Sequence, residues 1–193
     1  MEAACYNGST GFRYERLQAR VLTQILVLSD THVRTVHDLP AQVLRAVSEA
    51  EWVVHCGDYT RLAVVDELKR LARNFVGVYG NADPGDIRRR LPAEVVIKVE
   101  ARRIAVIHPA WGGYPDALEE SLIERFPDVD AILFGHTHDP CNHRLNGTML
   151  FNPGQGYGSF MVPASIGMLT ISKDALTGEI LVLNPICEQE SIQ

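Results

Sequence analysis

The segment that best reveals the architecture of this chain is Ala131-Ile132-Leu133-Phe134-Gly135-His136-Thr137-His138, in which four apolar residues lead into two histidines. A short apolar run bounded by glycine is typical of a buried strand. The arrangement recurs in Ile25-Leu26-Val27-Leu28-Ser29-Asp30-Thr31-His32 and in Trp52-Val53-Val54-His55-Cys56-Gly57-Asp58. Three predicted strands are therefore followed by Asp or His, which are residue types that commonly bind metal ions.

The rest of the chain alternates helix and strand patterns. Apolar residues recur at helical spacing in residues 40–50 and 62–71, and a further helix is predicted at residues 116–126. Residues 75–79 predict a strand that leads into the tight turn Gly80-Asn81-Ala82-Asp83. This turn is expected to carry polar side chains to the edge of a sheet.

Paired strands dominate the second half. Residues 94–99 and 102–107 predict a hairpin whose second arm ends at His108, and Asn146-Gly147 predicts a type I′ turn between two further strands. The last strands are predicted at residues 166–172 and 180–186, around Thr177-Gly178. Helices early and strand pairs late indicate an α/β fold with two packed sheets flanked by helices.

Length and composition indicate how many domains the chain has and which classes of partner and location are expected. A chain of 193 residues predicts one domain, residues 21–193, after a flexible leader at residues 1–20 that shows no periodicity. The net charge of -6 argues against a protein that grips extended nucleic acid. The sequence has no apolar stretch of about 20 residues and no C-x-x-C pair among its four cysteines, so we expect a cytoplasmic protein without structural disulfides.

Seven polar residues at strand ends are expected to meet, because ligand sites form beyond the carboxyl ends of strands in open α/β sheets. Carboxylate, imidazole and amide ligands without a thiolate suit Mn, Fe, Ni or Zn. The seven residues are Asp30, His32, Asp58, Asn81, His108, His136 and His138.

The order of these residues is D-x-H, G-D, G-N, H and G-H-x-H. In this order the chain resembles the calcineurin-like metallophosphoesterases, and within them the small single-domain phosphodiesterase branch, from Leu22 to about Ile186. The resemblance implies a four-layer α/β/β/α sandwich of two mixed sheets. It also implies two divalent metal ions as cofactors, with Mn favoured over Fe, Ni or Zn.

Carried over by position, the resemblance divides the seven residues between the two ions. Asp30, His32 and His138 would hold one ion. Asn81, His108 and His136 would hold the other, and Asp58 would bridge the two. A metal-bridging hydroxide would then attack phosphorus.

The resemblance assigns catalytic roles to Asp58, Asn81, Asp83 and His108, with Asp83 supporting the catalytic loop. His37, His55 and His143 are not included among the metal ligands, because a lone histidine is more often a structural or surface residue than a ligand.

The chain departs from the family pattern near the site. Ala82 stands where many relatives carry a histidine that assists the reacting phosphate, and His108-Pro109-Ala110 replaces a common H-G-H. Gln155 occupies a position where serine is usual. Without an acid at position 82, good leaving groups should be favoured.

The resemblance predicts an enzyme that hydrolyses small phosphodiesters. A phosphomonoesterase, a nuclease and a non-catalytic protein-interaction scaffold of the same fold are the alternatives. We expect no membrane partner, no extended nucleic acid, and a homodimer or higher homo-oligomer.

Overall fold

The computed structural model describes residues 22–110, 115–159 and 162–183. The predicted leader, residues 1–20, lies outside these ranges. The strands are β1 (Thr23–Leu28), β2 (Trp52–His55), β3 (Phe75–Gly77), β4 (Glu94–Val99), β5 (Arg102–Ile107), β6 (Ala131–Phe134), β7 (Cys141–Leu145), β8 (Thr148–Asn152), β9 (Ala164–Ile171) and β10 (Leu176–Leu183). The helices are α1 (Ala41–Glu49), α2 (Leu62–Leu71), α3 (Gly85–Arg88) and α4 (Pro115–Arg125). Across the described ranges, no helix is both long and apolar enough to cross a membrane.

The first sheet has the strand order β10-β9-β1-β2-β3. Strands β1, β2 and β3 are parallel, because α1 and α2 return the chain to the end of the sheet at which the previous strand began. Strand β9 runs antiparallel to β1, with Val27 opposite Gly167.

The second sheet has the order β4-β5-β6-β8-β7. Strands β5, β6 and β8 are parallel, whereas β4 and β7 pair antiparallel with β5 and β8 as hairpins. The carboxyl ends of three parallel strands in each sheet therefore carry loops on a common rim.

Three buried clusters divide the molecule into layers. Val27 and Leu133 belong to the cluster between the two sheets. Val43 of α1 and Leu68 of α2 belong to a cluster on the outer face of the first sheet, and Leu122 of α4 belongs to one on the outer face of the second. This is the predicted four-layer α/β/β/α sandwich of two mixed sheets.

The regular elements follow the sequence patterns closely. The helices predicted at 40–50, 62–71 and 116–126 and the hairpin at 94–107 are confirmed within a residue or two. Asn146 and Gly147 have φ values of 51° and 89°, which confirms the type I′ turn. The four-residue helix α3 was not predicted, because one turn is too short to show periodicity.

The prediction of the last hairpin was wrong about its turn. Thr177-Gly178 lies inside β10, and the connection is made at residues 172–175, where the Ser172 hydroxyl accepts a hydrogen bond from the Ala175 amide. Gly178 pairs with Leu169, and a Cβ at position 178 would lie 2.7 Å from the Phe151 ring. Glycine is needed there for close packing and not for a turn.

Candidate metal centre

The seven predicted residues meet at the common rim of the two sheets. They come from loops that follow β1, β2 and β3 of the first sheet and β5 and β6 of the second. Each contacts at least one other member, and together they form one continuous cluster of Asp30, His32, Asp58, Asn81, His108, His136 and His138.

Asp30, His32 and His138 form the first half of the cluster. His138 Nε2 lies 3.1 Å and His32 Nε2 lies 3.8 Å from Asp30 Oδ1. Among the described residues these three offer ligand atoms within 4.8 Å of one another. Asp30 Oδ1 and His32 Nε2 are buried and have no hydrogen-bond partner. Buried polar atoms without partners are costly, and a cation between them would satisfy both.

Asp58 lies between the two halves. Its Oδ2 atom is 3.6 Å from His32 Nε2 and 3.4 Å from His108 Nε2. Its Oδ1 atom accepts a hydrogen bond of 2.8 Å from the Ala82 amide, which fixes the carboxylate orientation. Asp58 therefore presents one oxygen to both halves, as a bridging ligand would.

The second half is built around His108. His108 Nε2 lies 3.0 Å from Asn81 Oδ1, and the His136 ring stands edge-on to the His108 ring at 5.2 Å. Asp30 of the first half and the central Asp58 join His108 in a second group whose ligand atoms lie within 4.8 Å of one another. Coordination by Asn81 and His136 stays a prediction.

Outer hydrogen bonds orient two of the imidazoles. His108 Nδ1–H donates to the Cys56 carbonyl at 2.8 Å, and His138 Nδ1–H donates to Gln155 Oε1 at 2.9 Å. In both rings Nε2 is left facing the carboxylates, which is the arrangement of metal-binding histidines. Gln155 thus has a positioning role that the sequence did not reveal.

The centre is strongly acidic. Burial by itself would raise the pKa of Asp30, but the imidazoles of His138 and His32 beside its carboxylate hold that pKa well below its usual range. Burial likewise opposes ionisation of Asp58, and the hydrogen bond from His108 prevails to lower its pKa. Two ionised carboxylates in a buried cleft create a site for cations.

Two imidazoles respond to these carboxylates. The Asp30 carboxylate, whose Oδ1 lies 3.1 Å from Nε2 of His138, raises the pKa of His138. Burial lowers the pKa of His108, but Asp58 outweighs that effect and raises it. A proton on either Nε2 atom therefore occupies a position that a divalent cation would take.

The loop backbone at the centre adopts conformations that L-residues seldom take. Such strain is found mostly at functional sites, where surrounding contacts maintain it. Positive φ values occur at Asp30 (49°), His32 (44°), Asp58 (62°), Thr60 (69°), His136 (80°) and His138 (60°).

Two glycines allow the loops to approach closely. A Cβ at Gly80 would lie 2.1 Å from Asp58 Oδ1, and a Cβ at Gly135 would lie 1.9 Å from Ser29 Oγ. Both distances are far below van der Waals contact. Glycine is therefore required at these two positions, where one loop passes close to Asp58 and the other close to Ser29.

Asp83 supports the loops from behind. Its carboxylate accepts hydrogen bonds from the backbone amides of Gly80 (2.8 Å), Asp58 (3.0 Å) and Thr60 (2.8 Å). Burial raises the pKa of Asp83 despite these bonds. The geometry is that of a loop-supporting residue, although contact with a reacting group stays a prediction.

His55 lies behind the centre and is not a ligand in this geometry. Its Nδ1 atom accepts a hydrogen bond from the Gly57 amide at 3.2 Å, so its Nε2–H donates to Thr31 Oγ1 at 3.1 Å. The ring is fully buried and stacks on Tyr59 at 3.8 Å. Burial lowers the pKa of His55 to about 3, so the ring is neutral at ordinary pH.

A cavity of about 250 Å³ opens beside Asn81 and His108. Tyr79 and Arg88 line one side, and Arg88 donates 2.7 Å hydrogen bonds to the carbonyl oxygens of Asn81 and Asp83. Arg88 therefore holds the Asn81 loop while it contributes positive charge to the cavity.

Comparison with known proteins identifies the family. The calcineurin-like phosphoesterase superfamily domain matches residues 24–174. A probable metallophosphoesterase of Methanocaldococcus jannaschii is 35% identical over 66% of this chain and 65% of its own length. A phosphodiesterase of the same organism is 26% identical over 78% of this chain and 94% of its own.

A solved structure that is not named as a phosphoesterase has the same fold. Vacuolar protein sorting 29 from Cryptosporidium parvum superposes with a TM-score of 0.68 at 19% identity, covering 85% of this chain and 99% of the other. At that identity the likeness concerns the fold alone. The sequence match over residues 24–174 decides the family, and this chain belongs to the calcineurin-like phosphoesterase superfamily.

Proposed function

We propose that this protein is a phosphodiesterase that uses two divalent cations to hydrolyse small phosphodiesters. The observation that carries the proposal is the position of Asp58 Oδ2 between His32 and His108, at 3.6 and 3.4 Å. A single carboxylate oxygen that faces two imidazoles from opposite halves of an acidic cleft is suited to two neighbouring cations.

The residues present fit such a pair of ions. Asp30 Oδ1 and His32 Nε2, which are buried without hydrogen-bond partners, would coordinate the first ion together with His138. Asn81, His108 and His136 would hold the second. When bound, the two ions lower the pKa of a shared water and neutralise charge on the phosphoryl oxygens. The family resemblance favours Mn, and the mixed carboxylate and imidazole ligands suit Fe, Ni and Zn as well.

The remaining residues position the reactants. The cavity beside Asn81 and His108 is open to one ester arm of a diester, with Arg88 on its wall. Ala82 provides no acid, and its backbone amide is committed to Asp58 Oδ1. We therefore expect faster turnover of esters whose leaving group needs little protonation.

Relatives support this reaction class. One curated relative is named a phosphodiesterase and another a probable metallophosphoesterase. Both names describe hydrolysis of phosphoric esters, which is the chemistry that the cluster of carboxylates and imidazoles suits.

The test is hydrolysis of bis-p-nitrophenyl phosphate by the purified protein with Mn²⁺. Asp58→Asn should abolish turnover and lower the metal content, whereas Asp66→Asn should leave both unchanged because Asp66 is an exposed partner of Arg90 on α2. Absence of turnover with every divalent ion tested, from neutral to alkaline pH, would contradict the proposal.

Two alternatives make different predictions. A protein-interaction scaffold, suggested by the fold shared with vacuolar protein sorting 29, should bind metal substoichiometrically, whereas the enzyme should approach two ions per chain. A phosphomonoesterase should hydrolyse a monoester faster than the diester with the same leaving group. A diester-to-monoester rate ratio above one is expected.

A further inference from the structure

A second group of metal-type side chains lies away from the candidate metal centre. Glu119 of α4 and Cys141 and His143 of β7 offer ligand atoms within 4.8 Å of one another. His143 Nε2 is 3.0 Å from Glu119 Oε2. None of the three belongs to the cluster at the sheet rim, so the group requires its own explanation.

The topology explains why these residues meet. Cys141 and His143 are alternate residues of a strand, so their side chains share one face. Cys141 and Leu145 pack in the same cluster as Leu118 and Leu122 of α4, which shows that this face is turned toward the helix. Glu119 reaches the same junction from α4. The three ligands thus join a surface helix to the edge strand of the second sheet.

We propose that Glu119, Cys141 and His143 form a second metal site, which binds Zn²⁺ and fastens α4 to β7. One thiolate, one imidazole and one carboxylate are ligands that Zn²⁺ takes in tetrahedral sites, with a water in the fourth position. The thiolate favours Zn²⁺ over the harder ions Mn²⁺ and Mg²⁺.

Charge supports the assignment. When the Zn–S bond forms, the Cys141 thiol releases its proton to solvent, and Zn²⁺ balances the charges of the thiolate and Glu119. Without a cation, burial disfavours a Cys141 thiolate, and the charges of Glu119 and Asp139 add to this effect. Zn²⁺ removes that repulsion and replaces the proton.

Two simpler explanations fit less well. A reactive cysteine would need a thiol that ionises near neutral pH, but burial raises the pKa of Cys141 to about 11. An ion pair between His143 and Glu119 alone would leave the convergence of Cys141 on the same point without a role.

Cobalt substitution tests the proposal. Co²⁺ bound to a thiolate gives an intense charge-transfer absorption in the near ultraviolet, whereas the cluster at the sheet rim offers only nitrogen and oxygen ligands. The full chain with Co²⁺ should show this absorption, and Cys141→Ser and His143→Ala should abolish it. Glu119→Gln should weaken Zn²⁺ binding by more than about 100-fold, because even outer-shell substitutions cost 10–100-fold. Glu120→Gln, on the same helix, is the matched control.

The results of these experiments distinguish the second metal site from the proposed phosphodiesterase activity. Asp58→Asn should retain the cobalt absorption, and Cys141→Ser should retain Mn²⁺-dependent hydrolysis. Because the chain also contains Cys5, Cys56 and Cys187, an absorption that survives Cys141→Ser would overturn the proposal. It would also be overturned if iodoacetamide alkylated Cys141 at neutral pH equally fast with and without Zn²⁺.

Discussion

Acidification should destabilise this protein through His55. The ring is fully buried and neutral, with Nδ1 accepting from Gly57 and Nε2 donating to Thr31, so protonation would destroy one hydrogen bond and leave a buried charge. The pKa of His55 is lowered to about 3 in the folded protein, from 6.5 in an unfolded chain. The unfolded state therefore binds more protons at every pH between these values.

The magnitude follows from linkage. Stability is retained above pH 6.5 and falls as the pH drops below it, because unfolding then captures a proton that the native state excludes. From pH 7 to pH 5 the loss is about 2 kcal/mol, and the full difference of 3.5 pKa units, which is reached below pH 3, corresponds to about 5 kcal/mol.

Urea unfolding at pH 7 and pH 5 measures this loss. The wild-type protein is compared with His55→Gln, whose amide has a donor and an acceptor but does not titrate. A chelator keeps metal binding out of the comparison. His108 and His138, whose raised pKa values give the opposite pH dependence, contribute equally to both proteins and cancel. The exposed residue His37 gives the control His37→Gln.

The expected result is a pH-dependent loss that is smaller in His55→Gln by about 2 kcal/mol. Loss of stacking on Tyr59 should lower the stability of the variant at both pH values alike. If wild type and variant lost the same free energy from pH 7 to pH 5, the reasoning that His55 stays neutral in the fold would be refuted.

Three further results are expected. Asp83→Asn should lower the free energy of unfolding by about 3 kcal/mol in urea titrations, because an amide cannot accept all three backbone hydrogen bonds; a loss below about 1 kcal/mol would contradict this role. Gly135→Ala should reduce Mn²⁺ content in elemental analysis, because its Cβ would lie 2.6 Å from Asp30 Oδ2, and unchanged occupancy would argue against a rigid loop. Mn²⁺ affinity measured by calorimetry should rise with pH while His138 and His108 lose their protons, since the cation competes with those protons; affinity that does not change between about pH 6 and 8 would exclude this competition.

Local pattern was sufficient for most of the regular structure. Side-chain periodicity depends on neighbours two to four residues away, so helices α1, α2 and α4 and the hairpin of β4 and β5 could be predicted without knowledge of the fold. Gly178 shows where such reasoning ends. Because glycine is common in turns, the sequence suggested a turn at this position. The structure shows that the ring of Phe151, 27 positions away, requires glycine there.

The ordered motifs indicated the candidate site because each polar residue directly follows an apolar strand. Their convergence depends on strand order, in which β1, β2 and β3 are neighbours in one sheet and β5 and β6 are neighbours in the other. No local pattern encodes that order. The same applies to His108 and Cys56, whose hydrogen bond spans 52 positions, and to Gln155, whose contact with His138 spans 17.

The sequence alone thus specifies which residues carry chemistry and which strands deliver them. Only the tertiary structure decides how they are held: that Asp58 turns one oxygen toward two imidazoles, that His55 stays neutral behind the centre, and that Glu119 meets Cys141 and His143. The physical reason is that strand and helix formation follow local spacing, whereas side-chain convergence depends on how two separately ordered sheets pack face to face.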